Sequence, residues 1–197
     1  MIDDLEIIKR RTLNVEAIRE SPLHLDNKVT NGVNPGIELV IFIGLQGAGK
    51  STFYQTHFAE THALVSKDLM RNNKRPARRQ AFLIAEHLKS GTSLVVDNTN
   101  PTLGDRLAII EIAQNYQAKI IGYYFNSKIA DCLTRNRQRD GKARIPDYAL
   151  YMTRNKLVPP NYSEGFHQLF QVKIAQNPGT FEIHPWTPEE NLGPESI

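Results

Sequence analysis

A single cysteine, Cys132, in 197 residues excludes an internal disulfide and a cysteine zinc cluster, and makes a reducing cytoplasm the expected setting. It stands beside Leu133 in a helical pattern, where it reads as a packed small hydrophobe rather than a nucleophile. No run of about 18 apolar residues is present to span a membrane, and the opening Met1-Ile2-Asp3-Asp4 is acidic where a secretory signal is basic. The charge excess is small, +3 overall, and does not by itself argue for nucleic acid. The guanine-reading Asn-Lys-x-Asp and the switch Asp-x-x-Gly of GTPases occur nowhere in the chain.

What is present is an apolar run, Leu39-Val40-Ile41-Phe42-Ile43, that ends abruptly in Gly44-Leu45-Gln46-Gly47-Ala48-Gly49-Lys50-Ser51-Thr52. This is the eight-residue Walker A pattern in its proper context, a strand buried on both faces before it and a helix from Ser51 to Glu60 after it. The glycines let the backbone approach a polyanion, and the helix N-terminus aims its N–H groups at the same spot. Lys50 is expected on the β- and γ-phosphates of ATP and Ser51 on Mg²⁺. The residues Gly44 to Thr52 are thus the candidate nucleotide site.

The remaining pattern alternates short apolar runs with helical spacing. Strands are expected at 63–66, 93–97, 119–125 and 169–174, with an edge strand at 180–184, and helices at 78–89, 102–116, 130–139 and 147–156. In the helix at 102–116, Leu103, Leu107, Ile110 and Ile112 are expected inside. The expected fold class is α/β, a P-loop NTPase with a doubly wound, mainly parallel five-stranded sheet of nucleotide-kinase type. Three segments follow: an appended helix and loop over 1–36, the P-loop domain over 37–184, and a loose tail over 185–197.

In such a sheet ligands gather beyond the carboxyl ends of the strands, so Gly44, Asp68, Asp97 and Asn126 are expected to face one crevice. Asp97 ends the strand expected beside the phosphate loop and fits the Walker B role, holding Mg²⁺ with Ser51. Hydrolysing ATPases follow that acid with a glutamate, whereas Asn98 follows here, so water activation is not favoured. A kinase needs a carboxylate that accepts a hydroxyl proton, and Asp68 is placed for it; the N-cap of the following basic helix is the competing reading. Arg71, Asn98 and Arg106 are candidates to grip the acceptor, although a solvated helix arginine is the plainer reading of Arg106. Arg135, Arg137, Arg139 and Arg144 flank the glycine-containing stretch 140–144, which reads as a basic lid, with Arg135 and Arg139 toward the donor. Between Lys67 and Arg79 six bases stand against one acid, and between Arg135 and Arg144 five against one. Two such runs after strands of one sheet favour a polyanionic acceptor.

The Walker A stretch, then Lys67-Asp68-Leu69-Met70-Arg71, then Asp97-Asn98-Thr99-Asn100-Pro101, the arginine-rich lid running into Ile145-Pro146, and Glu164-Gly165-Phe166 resemble the polynucleotide 5′-hydroxyl kinases over roughly residues 37 to 175. The resemblance implies an ATP- and Mg²⁺-dependent kinase of nucleic-acid 5′-OH ends. Asp68 is then the general base, Arg71 a ligand of the acceptor's adjacent phosphate, and Arg139 the lid arginine on the donor phosphates. Two departures stand out. Lys67 occupies a position where the family has arginine, losing the planar fork, and the Asp-x-Asp-x-Thr/Val motif of a phosphatase module is absent. A small-molecule kinase and a nucleotide-dependent switch remain the alternatives.

Overall fold

The computed structural model describes residues 34–70, 72–175 and 179–187, with only the backbone of 34, 35 and 142. The expected N-terminal helix, Arg71, and the tail beyond Thr187 lie outside the described residues. Strand β1 (Asn34–Ile43) is followed by α1 (Lys50–His57), β2 (Ala63–Val65) and a 3₁₀ turn over Lys67–Met70. Next come α2 (Pro76–Lys89), β3 (Leu94–Val96), α3 (Leu103–Asn115), β4 (Ala118–Phe125) and α4 (Ile129–Arg137). A second 3₁₀ turn (Gly141–Ala143) leads to α5 (Asp147–Lys156), a third (Tyr162–Glu164) to β5 (Gln168–Ile174), and the described fold ends in β6 (Phe181–Pro185).

The sheet has six strands in the order β2-β3-β1-β4-β5-β6. The first five run parallel, and β6 pairs antiparallel with β5. The sixth strand is the edge strand expected at 180–184, added beside the five parallel ones. Parallel strands need crossovers, and the helices supplying them bury both faces of the sheet. Strand β1 shows this residue by residue. Leu39, Ile41 and Ile43 pack in the cluster that takes in Ile84 and Leu88 of α2 and Ile109 and Ile110 of α3; Val40 and Phe42 pack with Phe53 of α1, Cys132 and Leu133 of α4 and Leu150 of α5. These five residues, Leu39 to Ile43, are fully buried, which is why the run reads as continuously apolar rather than alternating.

Several boundaries differ from the sequence reading: β1 begins at Asn34, inside the expected loop, and α1 ends at His57 instead of Glu60. Helix α2 begins at Pro76, whose fixed φ and missing N–H suit a first helical position, instead of at Arg78. The tail was expected from Pro185, but Pro185 pairs with Phe170 and Trp186 is buried, its ring 5.1 Å from that of Tyr124. The face of α3 also differs: Leu103 and Leu107 are exposed, and Arg106, Ile109, Ile110 and Ala113 point inward. No helix among the described residues is long and apolar enough to cross a membrane.

Candidate active site

Central placement of β1 puts the loop after it between the ends of β3 and β4. Gly44, Gly47 and Gly49 have φ values of 148°, 78° and 93°, where a side chain is strained. At Gly47 space forbids one as well, since a Cβ would sit 2.8 Å from the Cys132 carbonyl oxygen of α4. Arg135, one turn along α4, donates from Nε to the Gly47 carbonyl at 2.6 Å, and its Nη2 lies 3.7 Å from the Cys132 sulfur. Arg135, a candidate donor ligand, thus braces the loop backbone. Cys132 is fully buried, the packed hydrophobe the pattern suggested.

Lys50 folds back over the loop, donating from Nζ to the carbonyls of Gly44 (3.1 Å) and Leu45 (2.6 Å). Burial pushes its ammonium down to about 8, with the Asp97 carboxylate opposing that shift. Ser51 donates from Oγ to Asp97 Oδ2 at 2.7 Å. Asp97 follows the end of β3, the strand paired with β1, and the Gly44 N–H donates to the Thr99 carbonyl, so the loop and the 97–101 turn share a seam. Burial raises the Asp97 carboxyl above the usual carboxylate range, while Lys50 and the Ser51 hydroxyl pull it back.

Two cavities meet over this seam. One, of about 310 Å³, is lined by Gly49, Lys50, Ser51, Thr52 and Asp97; the other, of about 240 Å³, by Lys67, Asn100, Pro101, Asp105, Ala143 and Ile145. Gln46, Asp68, Asn98, Thr99 and Arg139 line both. Asp68 is exposed in the 3₁₀ turn, its N–H donating to Ser66 Oγ at 3.3 Å. Since α2 begins at Pro76 with Arg75 as its N-cap, Asp68 does not cap that helix. Asn98 accepts from the Lys67 N–H and donates to Gln80 Oε1, both at 2.9 Å, so its amide ties the first 3₁₀ turn to α2 while forming cavity wall.

Not every candidate reaches the crevice. Arg106, expected on the acceptor or in solvent, is fully buried: Nε and Nη2 donate to Glu164 Oε2 and Oε1 at 2.6 and 2.7 Å, and Nη1 to the carbonyls of Asn100, Pro101 and Val158. Its guanidinium is held by Glu164, by the Val158 carbonyl and by the far side of the 97–101 turn. Arg137 is exposed and paired with Asp147 at 2.8 Å. Asn126 donates from its N–H to the Val172 carbonyl and is not among the cavity residues.

Other residues of the site were not read from the sequence. Buried Asn136 brackets Ile145, donating to its carbonyl at 2.7 Å and accepting its N–H at 3.2 Å, so α4 and the end of the 140–144 stretch are pinned together behind Arg139. Asn100, at φ 42°, donates to the Phe42 carbonyl at 2.8 Å and holds the turn against β1. Asn100 is legible in the sequence only as part of the Asp97–Pro101 stretch, and Asn136 carries no signal beyond an asparagine between two arginines.

The family model described as "AAA domain" (AAA_33) matches residues 39–157, more than half of the chain. The chain belongs to that AAA domain family. Two curated relatives of this AAA domain chain are each 26% identical to it: the bifunctional polynucleotide phosphatase/kinase of Schizosaccharomyces pombe, over 68% of the chain and 33% of the relative, and a putative bifunctional polynucleotide phosphatase/kinase of Acanthamoeba polyphaga mimivirus, over 76% and 36%. The chain thus spans about a third of the length of these curated relatives. Among solved structures, one of the Pnkp1/Rnl/Hen1 RNA repair complex superposes with a TM-score of 0.56 at 24% identity, covering 66% of this chain and 47% of that one. A gluconokinase from Sinorhizobium meliloti 1021 gives 0.52 at 18%, covering 72% and 85%. The AAA domain here therefore has the fold of P-loop kinases, and the resemblance to polynucleotide kinases read from its motifs is met again in its relatives.

Proposed function

We propose that this chain transfers the γ-phosphoryl group of ATP to a 5′-hydroxyl end of a polynucleotide. The observation that carries the reading is the position of Asp68 and Arg139 at the border of the two cavities, with the phosphate loop on one side and the second cavity on the other. The first cavity takes the donor: loop N–H groups and Lys50 hold its phosphates. Ser51 Oγ and the Asp97 carboxylate are hard oxygen donors that suit Mg²⁺, and no cluster of three His, Cys, Asp or Glu exists among the described residues, so the remaining ligands would be phosphate oxygens and waters. Bound there, Mg²⁺ neutralises charge on the phosphates.

The acceptor hydroxyl enters from the second cavity. Its oxygen forms the new bond to the γ-phosphorus as the bond to the bridging oxygen of ADP breaks, and its proton passes to Asp68. Arg139 sits where charge spreads over the transferring group, and a cation fixed there lowers the barrier without moving. Arg71, in the same short stretch as Asp68, is the proposed ligand of the acceptor's adjacent phosphate. The relatives named for polynucleotide kinase activity support the acceptor class.

The test is transfer from γ-labelled ATP to a panel of 5′-OH DNA and RNA oligonucleotides, nucleosides and sugar acids. Transfer to oligonucleotides well above the rest is expected. Preference for a sugar acid or nucleoside would overturn the acceptor, and hydrolysis without any transfer would overturn the kinase.

A further inference from the structure

Beyond the crevice, the cavities continue along the outside of β2 and α2. A groove of about 450 Å³ opens beside the 3₁₀ turn that carries Lys67 and Asp68 of the acceptor cavity. Ser66 and Leu69, on either side of that pair, line it with Leu64, all three also lining the donor cavity, and at its other end it shares Asn73 and Arg79 with an outer hollow of about 370 Å³. That hollow is lined by Asn73, Lys74, Arg75, Arg78, Arg79 and Phe82, four bases and no acid. All four bases are exposed, and among the described residues no acid forms an ion pair with any of them. Phe82 leaves 51% of its surface in water, with the Arg79 guanidinium 5.2 Å from the ring centre. The helix these residues open has no acid in its first turn and no side-chain cap, so its own dipole adds to the unbalanced positive field. An isolated protein gains nothing from gathering like charges around an exposed aromatic ring. A polyanion that also carries flat apolar faces supplies what both features want, because phosphates relieve the field and a base stacks on the ring.

We propose that this groove and hollow form an extended track for the single-stranded chain that trails from the phosphorylated end, with Phe82 as a stacking platform and Arg75, Arg78 and Arg79 on its phosphates. The track rests on the polynucleotide reading given above and adds a subsite remote from the chemistry. A duplex is not the occupant, because its bases are already stacked and cannot lie on Phe82.

Full-length protein is assayed with 5′-OH DNA and RNA single strands about 3 and about 12 nucleotides long, and with a blunt duplex, reading KM and kcat together with ATP-free binding by fluorescence anisotropy. The wild type should hold the long single strand more tightly than the short one. Phe82→Ala should raise KM for the long strand roughly 5-fold or more and leave the short strand and kcat unchanged, while Phe82→Tyr keeps the wild-type value. Arg75→Ala with Arg78→Ala should lower the slope of log affinity against log salt by roughly 0.7 for each phosphate no longer neutralised. Equal KM effects on long and short strands, a wild type indifferent to length, or a duplex that gains as much as a single strand would each overturn the track. If no acceptor is phosphorylated but Phe82-dependent binding persists, the kinase reading fails and the track stands; transfer without length dependence does the reverse. Arms in DNA and RNA show which backbone the track prefers.

Discussion

The turn from Asp97 to Pro101 has a buried cation on each side, and the two are held in opposite ways. On the crevice side Lys50, 8% exposed, donates to two carbonyls of its own loop, and its ammonium is pushed down to about 8. On the far side Arg106, fully buried, meets a carboxylate through two short parallel bonds and three backbone carbonyls. Burial alone therefore does not mark a functional charge. A buried cation whose partners are complete is architecture, because any ligand would first have to break those bonds. One destabilised by its own surroundings is a place where an incoming anion gains the most.

The comparison is broken most easily at Arg106. Arg106→Ala should cost about 3–5 kcal/mol in denaturant unfolding, because Glu164 is left buried without its partner, and replacing both by leucine should recover most of it. Wild-type stability with a selective loss of transfer would instead put Arg106 in the site. On the crevice side the expectations reverse. Asp68→Asn should slow transfer by roughly 10² to 10⁴ with melting temperature and ATP affinity held, whereas a parallel loss of stability would make Asp68 structural. Lys50→Ala should lower kcat by about 10² to 10³ without lowering the stability of the ligand-free protein, and wild-type turnover would remove Lys50 from the phosphates.

The smallest effect is in the pH dependence. Lys50 has its folded pKa depressed to about 8 from an ordinary 10.5, so between these values the unfolded chain binds more protons. Its burial penalty is full below pH 8 and fades as pH rises through that window. Relative to Lys50→Met, the ligand-free wild type should gain on the order of 1–3 kcal/mol between neutral pH and about 10. A flat difference would mean that the ammonium is not destabilised by burial.

The same contrast explains what could be read in advance. The phosphate loop, β1 and the adjacency of Asp97 were legible because each rests on a short stretch whose pattern carries its own geometry. The buried pair was not, since Glu164 lies 58 residues from Arg106 and helical periodicity sees only its own segment. Choosing leucines over an arginine for the inner face of α3 followed the usual preference, which a distant carboxylate overrode. The Asn100-Pro101 turn and the Glu164-Gly165-Phe166 stretch, both part of the resemblance, had no evident link in sequence. Arg106 is that link, and Phe166 lies over Gly122, where a Cβ would come within 2.8 Å of its ring. The bonds of Arg135 to the Gly47 carbonyl and of Asn136 to Ile145 were not legible for a related reason, because which backbone carbonyl a helix side chain reaches depends on tertiary packing.

One contact at the end of the fold bears on how the protein comes to be. Gly49 opens α1 at the loop, and a Cβ there would meet Ile174 of β5 at 3.1 Å and Phe181 of β6 at 3.2 Å. Phe181 also meets Phe53 of α1 edge-on at 5.0 Å. The floor under an early motif is thus laid by strands translated more than a hundred residues later. A nascent chain released only up to β4 carries the whole phosphate-loop sequence without the wall beneath it, so the loop is packed only once β5 and β6 have joined the sheet.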